Sequence, residues 1–190
     1  MKQRYISIVC FAIIFDQIIK LLVSLTLKQP IVIIDNFFSM NYVKNYGVAW
    51  SMFNGNSLFI IILSLVGLYL IYLLFEEFKD DKYLIYPILV FLSGALGNII
   101  DRIFRGYVVD YLDFNIFGYD FPVFNIADIY LVISLTLLLI LFARKEYYAK
   151  RNTSNKWWCF RTYRFLFGKT IRCVKKFYYI FNKKRRYFSK

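Results

Sequence analysis

Four blocks of almost unbroken apolar residues, at 5–27, 57–75, 83–100 and 126–143, constrain this chain more than any other feature. Crossing the hydrocarbon of a bilayer as a helix takes about 20 such residues, and each block is close to that length. Composition agrees: 59% of the 190 residues are hydrophobic and the mean hydropathy is +0.50, too apolar for an ordinary soluble domain. The expected fold is an all-α membrane protein with four transmembrane helices. The first block follows Met-Lys-Gln-Arg in the manner of a signal peptide. Asp16 interrupts it, however, and no small-residue cleavage site follows, so it reads as an uncleaved first span.

Charge sets the orientation. The net charge of +13 is unevenly placed: from Arg144 onward there are 16 Lys or Arg against the single acid Glu146, whereas residues 1–143 carry 9 basic and 11 acidic groups. Basic residues gather at cytoplasmic span ends. Lys2 and Arg4, then Lys79 and Lys82, then the tail occupy alternate ends of the spans; the other two connections carry Lys28, Lys44, Arg102 and Arg105, a comparable count per loop, so the tail decides. Both termini are therefore expected in the cytoplasm, with the connections 28–56 and 101–124 outside. Two domains follow, a four-span membrane domain at 1–143 and a basic, aromatic cytoplasmic tail at 144–190. Cations interleaved with Trp157, Trp158, Phe160 and Tyr163 suit anionic membrane lipid. The same chemistry would hold any polyanion, but lipid is adjacent and nucleic acid is not an expected partner; a plain solvated extension fits the tail equally well.

The connections differ in kind. Residues 28–56 are rich in β-branched and aromatic residues and carry Asn45 and Gly47, which predicts a small extracytoplasmic β segment resting on the membrane. Residues 101–124 read as an outer loop between spans three and four. Just before it, Gly94, Ala95 and Gly97 are small enough to let helices approach closely.

There is no histidine, and Cys10, Cys159 and Cys173 lie scattered with no close pair, which excludes zinc sites and histidine-based triads. Neither a metal nor a cofactor is expected. Acids are the remaining chemistry. Asp16 and Lys20, four apart, share one face of span one and read equally as a self-neutralising interior pair or as functional groups. The stretch from Gly94 to Asp128 gathers Asn98, Asp101, Arg102, Asp110, Asp113, Asp120, Asn125 and Asp128 near one interface. Asn98 and Asp101 share a helix face. Asn125 and Asp128 repeat that spacing, which also marks a helix start. Capping leaves unexplained why further carboxylates lie at the same level. Two carboxylates held close cannot both ionise cheaply, so one keeps a proton while its partner can draw a proton from water. Such a pair can hydrolyse a peptide bond without histidine, cysteine or metal.

DQIIK at 16–20, NYGVAW at 45–50, GNIIDR at 97–102, VVDYLDF at 108–114 and FNIAD at 124–128 resemble, in order and spacing, the motifs of the lipoprotein signal peptidases (signal peptidase II). These are intramembrane aspartic proteases of bacteria. The resemblance covers residues 1–143 and implies an endopeptidase that cleaves prolipoprotein signal peptides before a diacylglyceryl-modified cysteine, at the outer face of the cytoplasmic membrane. It implies Asp110 and Asp128 as the catalytic pair. It implies supporting or substrate-binding roles for Asp16, Asn45, Asn98, Asp101, Arg102 and Asn125, with Arg102 reaching peptide carbonyls. Departures are modest: Tyr111 and Leu112 stand where Phe and Ile are common, Lys44 replaces a frequent Arg, Ser93 replaces a common Gly, and the tail lies outside the family pattern. A monomer acting on lipid-modified prolipoproteins is the expectation. Two other classes compete on the residues alone. A proton-coupled transporter would place its acids at mid-depth, and here only Asp16 is deep. A non-catalytic assembly factor would need no acid pair.

Overall fold

The computed structural model describes residues 2–47 and 57–151. Part of the NYGVAW motif, at 48–50, and the tail beyond Arg151 lie outside the described residues. In chain order the elements are α1 (Lys2–Thr26), β1 (Ile31–Ile34), β2 (Phe38–Asn45), α2 (Ser57–Phe78), α3 (Ile85–Phe104), β3 (Val108–Ile116), β4 (Tyr119–Asp120) and α4 (Ile126–Arg151). Among the described residues, four helices are long and apolar enough to cross a membrane, each overlapping one of the expected blocks. Their outward side chains, Phe11, Leu22, Leu65 and Leu139 among them, are large, apolar and exposed, as lipid-facing residues are.

The chain divides into two compact units after Leu139. The second is described only over Ile140–Arg151, the end of α4, where the Arg144 guanidinium lies over the Tyr148 ring. Everything below concerns the first unit.

Helix α3 is central. Half of its spanning segment is buried, against 11–17% for the other three. Gly94 and Gly97 explain how closely it is approached. A Cβ on Gly94 would stand 2.4 Å from the Ala127 carbonyl oxygen, and one on Gly97 would stand 2.8 Å from the Asp16 carboxylate. Any larger residue would hold the start of α4 and the Asp16 turn of α1 away from α3. The helices thereby converge at one end, where α3 closes and α4 opens.

An antiparallel sheet, ordered β1-β2-β3-β4, sits at that end. The β segment read in residues 28–56 is present as β1 and β2. The connection 101–124, read as a loop, contributes the other two strands. Val108, Val109, Tyr111 and Leu112 carry strand-forming side chains, but Asp110 and Asp113 break the alternation that would have marked them. The sheet is seated through Val109 and Tyr111, which pack against Val23 of α1 and Leu27 just beyond it. Its far end is held by rings, with Phe114 stacked between Phe38 at 4.6 Å and Phe124 at 5.7 Å.

One irregularity matters for the site. Met40 opposes Leu112 but Val43 opposes Asp110, so two residues of β2, Asn41 and Tyr42, face Tyr111 alone. A strand alternates its side chains, and a one-residue slip moves every later one to the other face. The bulge therefore turns Asn45 onto the face that carries Asp110.

Candidate active site

Asp110, Asp128, Asp16, Asn45, Asn98, Asp101, Arg102 and Asn125 come together at the end of the bundle where the sheet meets α3 and α4, whereas Asp113 bonds Ser39 and Asp120 bonds Asn115 away from them. Asp110, on β3, is buried and accepts two side-chain amides. Asn45 Nδ2 donates to its Oδ2 at 2.9 Å, and Asn125 Nδ2 donates to its Oδ1 at 2.6 Å. Asp128, in the first turn of α4, accepts Asn98 Nδ2 at 2.8 Å on Oδ1 and the Asn125 backbone N–H at 3.2 Å on Oδ2. The Asp128 N–H in turn donates to Asn125 Oδ1 at 3.1 Å. Asn125 is thus a helix cap and a bridge at once. Its oxygen and backbone N–H close a reciprocal capping box with Asp128, and its amide nitrogen reaches the other carboxylate. The helix-start reading of the Asn125–Asp128 spacing is thus met, and the same asparagine also reaches Asp110.

Behind this pair lies a buried charge network. Lys20 Nζ is 2.9 Å from Asp16 Oδ2 and 2.9 Å from Asp101 Oδ2, with all three side chains buried. Its third contact is Asn98 Oδ1 at 3.0 Å. An ammonium only donates, so it binds the oxygen of the Asn98 amide and turns the nitrogen toward Asp128. Asp101 also accepts the Val109 N–H at 3.3 Å, tying β3 to α3, and it pairs with Arg105 and Gln17. Asp16 accepts the Ala127 N–H at 3.2 Å, which ties α4 to α1. Asp16, expected to be the one deep acid, thus lies level with the first turn of α4, paired and hydrogen-bonded, unlike a free proton carrier.

Arg102 donates to the Asn98 carbonyl at 3.1 Å and to the Gly47 carbonyl at 2.9 Å, linking α3 to the residue just beyond β2. Gln17 and Arg105 were not among the site residues read from the sequence. Gln17 adjoins Asp16, and Arg105 stands four after Asp101, the spacing of a helical ion pair; that spacing could have revealed the second. Lys20 was read only as a partner for Asp16, and its bond to Asn98 has no local signature.

Burial raises the Asp110 carboxyl to about 6, and the nearby Asp128 charge adds to the rise; the Asn45 and Asn125 hydrogen bonds and the Lys20 charge oppose it. Tyr111, beside it on the strand, is buried, and burial pushes its phenol up. Its hydroxyl has no hydrogen-bond partner among the described residues; the Ile126 backbone influences it without meeting bonding geometry.

Asp110, Asp128, Asn45, Asn98 and Arg102 line one side of a cavity of about 680 Å³. Its remaining wall is apolar, from α2, the deeper turns of α3 and α4, and the Phe121–Phe124 segment. A polar layer carrying two carboxylates thus opens onto a hydrocarbon-like chamber. That arrangement can hold a scissile amide at the acids while apolar parts of the same molecule stay out of water.

A protein-family model for signal peptidase II matches residues 8–144. The lipoprotein signal peptidase of Staphylococcus aureus strain JH9 is 38% identical over 154 residues, covering 80% of this chain and 90% of the relative, and the protein of strain Newman matches to the same extent. A bacterial membrane enzyme solved by the in meso method at 2.3 Å resolution superposes with a TM-score of 0.70 at 35% identity, covering 76% of this chain and 90% of that one. A second, at 1.9 Å, gives 0.66 at 36% identity, covering 74% and 92%.

Proposed function

This chain belongs to the signal peptidase II family, and from that premise we propose that it is an aspartic endopeptidase removing signal peptides from prolipoproteins, with Asp110 and Asp128 as its catalytic pair. The bond cleaved is the one before a diacylglyceryl-modified cysteine, and the end of the bundle bearing the sheet is the outer face of the cytoplasmic membrane. The tail meets lipid on the cytoplasmic side, and the enzyme acts as a monomer.

The observation that carries this reading is the bridge. Asn125 bonds both carboxylates, and the charge of Asp128 is felt by a buried Asp110 whose carboxyl is raised to about 6. A pair coupled in this way titrates as a unit and retains one proton over a range in which isolated carboxylates are ionised. The ionised member draws a proton from water as the oxygen attacks the scissile carbonyl. The protonated member donates to that carbonyl oxygen. In the second step one member gives its proton to the nitrogen, the other takes a proton from a hydroxyl of the tetrahedral intermediate, and the C–N bond breaks, leaving an amine, a carboxylic acid and a pair that again holds one proton. Asn45 and Asn98 each donate to one member and fix its acceptor oxygens. Lys20, Asp16 and Asp101 form the support behind Asn98, and Arg102 is available to peptide carbonyls beside the pair.

The test is amide substitution of each acid. Asp110→Asn and Asp128→Asn keep size but cannot cycle a proton, and acid–base assistance of this kind is worth about 10²–10⁴-fold. Each single variant should lose nearly all cleavage of a diacylglyceryl-cysteine peptide, and the double should lose little more, because the pair works as a unit. Asp113→Asn and Asp120→Asn are the controls from the same connection and should cleave normally. Wild-type turnover in Asp110→Asn would remove it from the pair and make Asp101 the next partner to test.

A further inference from the structure

Resting on the peptidase reading above, we infer that Gly67, by lacking a side chain, leaves the room that lets the substrate bring a long acyl chain to the site. The inward stripe of α2 runs through Ile60, Ser64, Gly67, Leu68 and Ile71, spaced as one helix face. Ile60 and Ile71 are buried, but between them the stripe carries two small residues. Ser64 and Gly67 both line the cavity that holds Asp110 and Asp128.

Glycine in mid-helix weakens the helix relative to alanine, so it calls for a reason. Gly94 and Gly97 have one, since a Cβ there would strike a neighbouring chain. Gly67 does not: no described atom lies within 4 Å of where its Cβ would stand. What its missing side chain provides is volume on the apolar wall of the cavity. Phe91, the α3 lining residue farthest along the helix from Asn98, precedes it by seven residues, which at 1.5 Å per residue is about 10 Å from the polar layer.

Chemistry identifies the occupant. The Ser64 hydroxyl is committed to the Ile60 carbonyl of its own helix at 2.8 Å, and Leu68, Phe91, Ala95 and Val132 offer no donor or acceptor. An extended peptide would leave its N–H and C=O groups unpaired there, and a helical one is about 10–12 Å wide with side chains. A single alkyl chain needs neither partners nor that width. An acyl chain of the diacylglyceryl group therefore runs down this wall from the cysteine held at the acids, and Gly67 keeps its far end unobstructed.

The test compares dioctanoyl and dipalmitoyl versions of one lipid-modified peptide on the full chain in detergent. Gly67→Leu fills the gap with a residue that favours helix. In detergent the chain exchanges with a micelle instead of water, so the penalty is overpacking against the new side chain, worth about tenfold or more in binding. The ratio of kcat/KM for the long over the short substrate should therefore fall at least tenfold relative to wild type, through KM. Gly67→Ala should lower the ratio less, and Ser64→Leu, on the same wall, should lower it as Gly67→Leu does. Changing the apolar segment of the signal peptide at fixed acyl length should leave the effect of Gly67→Leu unaltered. An unchanged ratio in both leucine variants, at wild-type thermal stability, overturns the inference while leaving the peptidase reading intact. So does a loss that follows the peptide segment instead of the acyl length. A wild type that cleaves neither substrate overturns the peptidase reading and this inference with it.

Discussion

Asn125 is the residue at which capping and catalysis can be separated. Asn125→Ser retains a good N-cap, since serine accepts the first-turn N–H about as well as asparagine. Its short hydroxyl cannot span to Asp110, which now receives the Asn125 amide at 2.6 Å. Hydrogen bonds to charged groups are worth about 1.5–3 kcal/mol, and 1.36 kcal/mol corresponds to one pH unit in an ionisation constant. The lost donor favoured the ionised carboxylate, so its removal raises the Asp110 carboxyl from about 6 by about one to two pH units. The site then keeps its proton to higher pH. The alkaline limb of kcat/KM, which reports the free enzyme, should move upward by that amount. At the pH optimum the rate should fall about 10²-fold, because the carboxylate loses the group that positions it. Cleavage of a diacylglyceryl-cysteine peptide, followed across a pH series alongside thermal unfolding, reads all three quantities. Unchanged stability with a wild-type rate and an unshifted alkaline limb would show that Asn125 serves only as a cap.

Further outcomes follow from the packing. Gly94→Ala should lower thermal stability by about 1–3 kcal/mol, as overpacking does, and should impair cleavage, because the new methyl meets the Ala127 carbonyl and parts Asn98 from Asp128; Gly67→Ala is the control for stability alone and should unfold no earlier than wild type. Tyr111→Phe removes a buried hydroxyl that has no partner among the described residues, so stability should rise by about 1 kcal/mol with cleavage retained; a clear loss in thermal unfolding would reveal a bond the hydroxyl makes. Reporter fusions at Gly118 should register outside and a fusion after Lys82 inside, since the hairpin of β3 and β4 belongs to the site-bearing end; a cytoplasmic signal at Gly118 would invert the proposed orientation.

What could be read in the sequence is what depends on neighbours along the chain. Four apolar blocks of span length announce four helices, because hydrocarbon imposes one requirement on every residue that crosses it. The Asp16–Lys20 and Asn125–Asp128 spacings are local, and both pairs form the contacts their spacing implies. The motif order carried the family and the list of site residues. Three things were settled only in three dimensions. The strand at Val108–Ile116 was hidden because Asp110 and Asp113 serve the site and a cross-strand partner instead of the apolar alternation. The bulge opposite Tyr111, which turns Asn45 toward Asp110, depends on the register between strands more than sixty residues apart. The orientation of the Asn98 amide depends on Lys20, brought from another helix that packs against Gly97. Helical spacing and capping are fixed within a turn or two of backbone, whereas sheet register and the bonding of buried polar groups are decided by which distant segments reach the same place.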